Sequence, residues 1–158
     1  MARITNKTSN SNLFLISQRL MKHGKKKLAH RILQKSLVNI QNKTKQDPLS
    51  IIEKAIQNTT LSVKIQTRRM RGTVSSIPSE ISLDRGISRG IRWILSSAKR
   101  RSGNTFALNL ANEFIDASKK AGNAFRKKQE LQKIADTNRF VRIKKKKPKK
   151  KNQKKRLK

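Results

Sequence analysis

Apolar residues recur along this chain with two different periods. Between residues 61 and 83 they alternate: Val63 and Ile65 stand against Lys64 and Gln66, and Ile77, Ile81 and Leu83 hold odd positions further on. That is the period of a half-buried strand. Gly72 lies between the two runs as the one residue there free to take a positive φ, so the segment reads as a β-hairpin. Pro78 makes the second run an edge strand, because proline cannot donate to a ladder. Two strands alone are marginally stable, so the hairpin is expected to reach out from a helical body rather than form its core.

The remaining apolar positions follow helical spacing. A first helix is expected over 12–22, with Leu13, Ile16 and Leu20 on one face and Gly24 just beyond its end. A second opens at Lys25 and carries Leu28, Ile32, Leu37 and Ile40 to about Lys43. Asp47-Pro48 is a helix start, an N-cap oxygen followed by proline at the first position. That third helix holds Leu49, Ile52, Ala55 and Ile56 and stops near Asn58. A fourth begins at about Asp84, taken as its N-cap, and carries Ile87, Ile91, Ile94, Leu95 and Ala98. After the break at Ser102-Gly103-Asn104, a fifth spans about 105–120 around Phe106, Leu110, Phe114 and Ala117. A weaker sixth covers about 123–138, with Phe125, Leu131, Ile134 and Ala135. The fold class expected is mainly α: a single domain of about six helices with one protruding β-hairpin and a basic C-terminal tail. Residues 1–11 read as a basic N-terminal arm, 12–143 as the helical domain and 144–158 as a Lys-rich tail.

Charge changes this picture most. Lys and Arg number 41 against 8 acids, a net charge of +33, and repulsion on that scale opposes a compact state unless a polyanion neutralises it. No acid precedes Asp47, and none follows Arg139, where thirteen of twenty residues are Lys or Arg. Lys25, Lys26 and Lys27 sit at a helix N-terminus, where the dipole disfavours them and a phosphate would remove the conflict. Nucleic acid is therefore the expected partner, each neutralised phosphate releasing counterions. The apolar runs are a few residues long, far short of a membrane span, and no membrane partner is expected.

Candidate chemistry is sparse. The absence of cysteine excludes disulfides, thiol nucleophiles and Cys-based zinc sites. His23 and His30 lack a nearby carboxylate and make a poor metal site. Glu113 and Asp116, an i, i+3 pair, are expected to answer basic neighbours such as Lys119 and Lys120. No phosphate loop or nucleophile elbow is present, so neither an enzyme nor a cofactor is expected. Trp93 reads as a packing anchor. With five Phe and no Tyr, base stacking is not the main mode expected, and Lys and Arg should meet folded RNA or a duplex backbone.

TRRMRGTVSSIP followed by GIRWILSSAKRR resembles the hairpin and following helix of the small-subunit ribosomal protein seven family. MKHGKKKLAHRIL, KQDPLSIIEKAI and LANEFIDASKKAGNAFRKKQELQKIADTN resemble other stretches of that family, in the same order, from about Leu13 to Asn138. The resemblance implies a mostly six-helix domain with a protruding hairpin. Its implied role is to bind small-subunit rRNA early, organise the head and place the hairpin near the tRNA exit site. By position it implies rRNA contacts from Lys25, Lys26, Lys27, Arg92, Lys99, Arg100, Arg101, Arg126, Lys127 and Lys128, to which Arg3, Lys22 and Arg31 of the acid-free N-terminal stretch are added. Arg68, Arg69 and Arg71 are assigned to the hairpin, facing exit-site tRNA and mRNA. Lys144, Lys145, Lys146 and Lys147 of the tail are assigned to RNA on charge alone. Partners implied are small-subunit rRNA, neighbouring small-subunit ribosomal proteins, and transient tRNA and mRNA.

Arg71 stands where the family's turn has glycine, and the end after Asn138 departs from the family. The excess of Lys, Asn and Ile suggests an A+T-rich genome, hence an organellar ribosome. The altered hairpin and tail lead us to expect the mitochondrion slightly ahead of the plastid. The competing classes are a histone-like DNA-compacting protein and a free basic RNA chaperone.

Overall fold

The computed structural model describes residues 2–70 and 72–145, with side chains at 11–69, 72, 74 and 76–138. The order is α1 (Ala2–Leu20), α2 (Lys26–Thr44), α3 (Pro48–Thr59), β1 (Val63–Met70), β2 (Thr73–Glu80), α4 (Leu83–Arg100), α5 (Phe106–Ser118) and α6 (Gly122–Lys145). The chain is mainly α with one hairpin, as its periodicity implies.

Helix α5 is central and packs against α2, α3, α4 and α6. Its residues allow this, because Ala107, Leu110, Ala111, Phe114 and Ala117 are all buried and leave little polar surface on a short helix. Around Leu110 and Phe114 gather Ile16 of α1, Leu33 and Ile40 of α2, Ile52 and Ile56 of α3, and Ile91 and Ile94 of α4. Each fully buried Ile or Leu contributes about 1.5–3 kcal/mol. Trp93 packs against the edge of this cluster, as an anchor should.

Several boundaries differ from the sequence expectation. Helix α1 starts at Ala2 rather than residue 12: no glycine or proline interrupts residues 2–11, so the turn stabilised by Leu13–Leu20 packing propagates backward. It ends at Leu20, two residues early, because His23 and Gly24 both take positive φ, 50° and 71°. In α2 the buried face is Ala29, Leu33, Ser36 and Ile40, while Leu28 is 49% exposed. The positions 29, 33, 36 and 40 keep strict helical spacing, whereas a stripe through 32 and 37 does not. Helix α4 has Ser82 as its N-cap, without a side-chain cap bond, and Asp84 lies in the first turn, where it complements the dipole instead. This leaves Leu83 exposed. Helix α6 runs on to Lys145, since no helix breaker stands between Gly122 and Pro148. The start of α3 is as expected: the Asp47 carboxylate accepts from the N–H groups of Leu49 and Ser50.

The two strands pair antiparallel from Val63↔Glu80 to Met70↔Thr73, which leaves a two-residue connection with Gly72 at φ 82°. The hairpin is only partly free. Its base leans on α6, which touches both β1 and β2, and its outer half carries exposed Arg68 and Arg69. Successive strand residues point to opposite faces, so these two arginines offer charge on both sides of the hairpin.

The junction between α3 and β1 is crossed closely by α4. A Cβ at Gly86 would lie 2.2 Å from the Leu61 carbonyl oxygen, and one at Gly90 would lie 3.0 Å from that of Thr59. The approach leaves no room for a side chain. Gly86→Ala should therefore destabilise the fold by about 1–3 kcal/mol, despite the better helix propensity of alanine. Urea unfolding followed by circular dichroism checks this.

Candidate nucleic-acid interface

Some of the basic residues line three surface clefts, and one, Arg101, pairs with two acids. In the first cleft, between the end of α1, the start of α2 and the end of α4, Lys22, His23, Lys25 and Lys99 rim a floor of Leu20, Leu28, Ala29, Ile32 and Phe106. It holds about 320 Å3. Lys99 thus meets Lys22 and Lys25, more than 70 residues earlier in the chain, at one place. Lys26, Lys27 and Arg31 lie exposed close by on α2, and Arg100 is exposed beside Lys99. His30 is also exposed.

The second cleft is the most basic. Arg85, Ser88, Arg89 and Arg92 follow one face of α4 at i, i+3, i+4 and i+7. Arg19 from α1 and Lys64 from β1 join them around about 420 Å3, with Asp84 the one acid in the lining. Only Arg92 of these five cations was expected from the sequence. The signal was present as an arginine every three to four residues in DRGISRGIRW, on the face opposite the isoleucines. Bringing Arg19 and Lys64 to it required the fold. Such a row of like charges held together is matched by a chain of phosphates.

The third lies between the end of α3, the α5–α6 turn and the first half of α6. Lys120, Lys128 and Lys133 line it with Gln57, Asn58, Phe125, Gln129 and Gln132. Lys128 donates from Nζ to the Asn58 carbonyl at 2.6 Å. It thereby caps the C-terminus of α3, where a cation suits the dipole. Burial, and then repulsion from Lys120, hold the Lys128 ammonium below its usual pKa. Its neighbours in the expected basic run, Arg126 and Lys127, do not line this cleft.

Arg101 does something else. Its guanidinium pairs with Glu113 at 2.7 Å and with Asp116. The Glu113 carboxylate is fully buried, and its second oxygen accepts from the Ala124 N–H at 3.1 Å. Burial alone would lower the Arg101 pKa, but hydrogen bonds and charge from Asp116 and Glu113 raise it above the usual value. The acids expected to answer Lys119 and Lys120 answer Arg101 instead, because that arginine is delivered by the loop at the end of α4. Asn109 holds the same loop by donating to the Arg101 carbonyl at 3.0 Å. Arg101 is thus taken up within the fold, whereas Lys99 and Arg100 face outward.

The side chains of Arg3, Lys144 and Lys145 and residues Arg71, Lys146 and Lys147 lie outside what is described. Among the described residues, no three His, Asp or Glu gather to hold a metal ion. No helix among them is long and apolar enough to cross a membrane.

A small helical domain whose cations converge in separate clefts, with a protruding basic hairpin, has the form of a structural protein built for a polyanion. The family described as ribosomal protein S7p/S5e matches residues 5–139, and the chain belongs to that family. Family membership makes it a non-enzymatic structural component of the small ribosomal subunit. Its relatives include the small ribosomal subunit protein uS7c of Cyanidium caldarium, 44% identical over 125 residues that cover 79% of this chain and 80% of the relative. The uS7c of Prototheca wickerhamii is 41% identical over 129 residues, 82% of this chain and 83% of the relative. That of Pleurastrum terricola is 42% identical over 124 residues, 78% and 80% of the two chains. These are chloroplast-type proteins of algae and point to the plastid, which corrects the expected lean to the mitochondrion. That lean rested on the altered hairpin and tail, whereas the composition pointed only to an organelle and does not separate the two.

Replacing Arg101 with Leu would leave the Glu113 carboxylate buried without its cation. We expect a loss of about 3 kcal/mol and a fall in Tm of roughly 6–12 °C. Thermal unfolding of the variant beside wild type measures it.

Proposed function

We propose that this protein binds small-subunit rRNA in the plastid ribosome, organises the head of the subunit, and places its hairpin near the tRNA exit site. The observation that carries the reading is the five-cation cleft formed by Arg19, Lys64, Arg85, Arg89 and Arg92. Cations this close repel one another, and RNA phosphates reverse the sign of that energy while releasing condensed counterions. The cleft rimmed by Lys22, Lys25 and Lys99 extends the cationic surface along α1, α2 and α4. Neighbouring small-subunit proteins are further partners. Arg68 and Arg69 serve transient tRNA and mRNA from the exposed half of the hairpin. The lysines of 144–158 contact RNA backbone by charge alone.

The test is ultraviolet crosslinking of the native protein to RNA, with the crosslinked sites sequenced. Adducts concentrated in the head region of small-subunit rRNA are expected. A spread over genomic DNA or unrelated RNAs would instead favour a general basic nucleic-acid-binding protein.

Changing Arg85 and Arg89 to Gln should lower the slope of log K against log salt for rRNA binding by about 1.5, just under one for each phosphate no longer neutralised. Titrations at several salt concentrations give the slope. A slope equal to that of wild type would mean this cleft meets no phosphate.

A further inference from the structure

We propose that the cleft between the end of α3, the α5–α6 turn and α6 takes a single unstacked nucleotide of RNA, its base against Phe125 and its phosphate between Lys120 and Lys133. The inference rests on the rRNA-binding reading and names a site of different chemistry within it.

Phe125 is half-buried and is not among the side chains that pack against the apolar core. It lines the cleft instead, surrounded by Gln57, Gln129 and Gln132 and by Lys120, Lys128 and Lys133. The volume of about 430 Å3 lies within the range of roughly 300–1,000 Å3 usual for small-ligand sites. No carboxylate lines it. Lys128 commits one donor to the Asn58 carbonyl, and Lys120 lies near enough to repel it.

Two features select a nucleotide over a simple anion or an acidic peptide. An anion asks only for donors, whereas the carboxamides of Gln57, Gln129 and Gln132 present donors and acceptors together, as base edges require. That of Gln132 also donates to Asp136 at 3.3 Å. A half-buried aromatic ring lining a cleft among cations is also what an unstacked base meets in RNA-binding sites. Lys120 follows α5 with φ 58°, a left-handed conformation in which glycine is relaxed and lysine is strained.

That strain supplies a variant that removes the charge without harming the fold. Lys120→Gly should unfold at or above the wild-type temperature. Phe125→Leu keeps an apolar side chain and removes the stacking face. Both are compared with wild type, as full-length proteins, for binding to an in vitro transcript of small-subunit rRNA across a salt series.

Phe125→Leu should weaken binding at least about fivefold at every salt concentration, with the slope unchanged. Lys120→Gly should lower the slope by just under one. Ultraviolet irradiation of the wild-type complex should give a nucleotide adduct on Phe125, a readout independent of how either variant folds. If Lys120→Gly lowers the slope while Phe125→Leu binds as wild type and no adduct forms, the cleft takes phosphate alone and the nucleotide site is overturned. If neither variant differs and rRNA is still bound, the cleft takes no RNA. If wild type itself does not prefer this transcript over unrelated RNA of equal length, the rRNA reading falls and this proposal with it.

Discussion

The fully buried carboxylate of Glu113 ties together three elements that the chain itself joins only through loops. One oxygen accepts from Arg101 at the end of α4, and the other from the Ala124 N–H in the first turn of α6. Removing a carboxylate from water costs several kcal/mol, which only near-complete pairing offsets. Glu113 meets that condition through a guanidinium shared with Asp116 and a backbone donor. The angle at which α4 leaves the core and the point at which α6 starts are therefore fixed by the same charge. Because α4 carries one cationic cleft and α6 another, the spacing of the outward cations depends on an inward one.

The rest of the charge is distributed by exclusion. The core cluster around α5 is built from Ile and Leu of α1 to α4, and small residues let the elements close up. Gly86 and Gly90 bring α4 against the backbone of Leu61 and Thr59. With the interior filled, Lys and Arg are left on helix ends and outer faces, and the packing angles decide which of them meet. Arg19, Lys64 and the α4 arginines converge although they come from three separate elements. A net charge of +33 would oppose so dense an arrangement in isolation. It is the form expected of a component whose folded state is completed by a polyanion.

Local chemistry carried far in the sequence. Asp47-Pro48 predicts the start of α3 because capping depends on residues within one turn. The hairpin follows from alternation and from Gly72, again within a few residues. The face of α2 was less legible, since Leu28 and Leu33 are equally apolar and only the neighbours of α2 decide between them. The α4 arginines escape a reading that follows the isoleucine face, because they share the polar face of the same helix. The partner of Glu113 and Asp116 could not be read at all: Lys119 and Lys120 are nearer in sequence, and Arg101 is nearer only after α5 has packed.

By itself, then, the sequence determined the order and type of the elements, the strongly basic character of the chain, and the family. These follow from propensity, periodicity and motif, which act over a few residues at a time. Tertiary structure alone decided which cations serve the fold and which face outward. Arg101 is turned to a buried carboxylate, Lys128 caps α3, and Arg100 and Arg92 point to solvent, though all four look alike in a string of basic residues. The reason is that pairing and desolvation depend on distances between elements, which exist only once the core has closed.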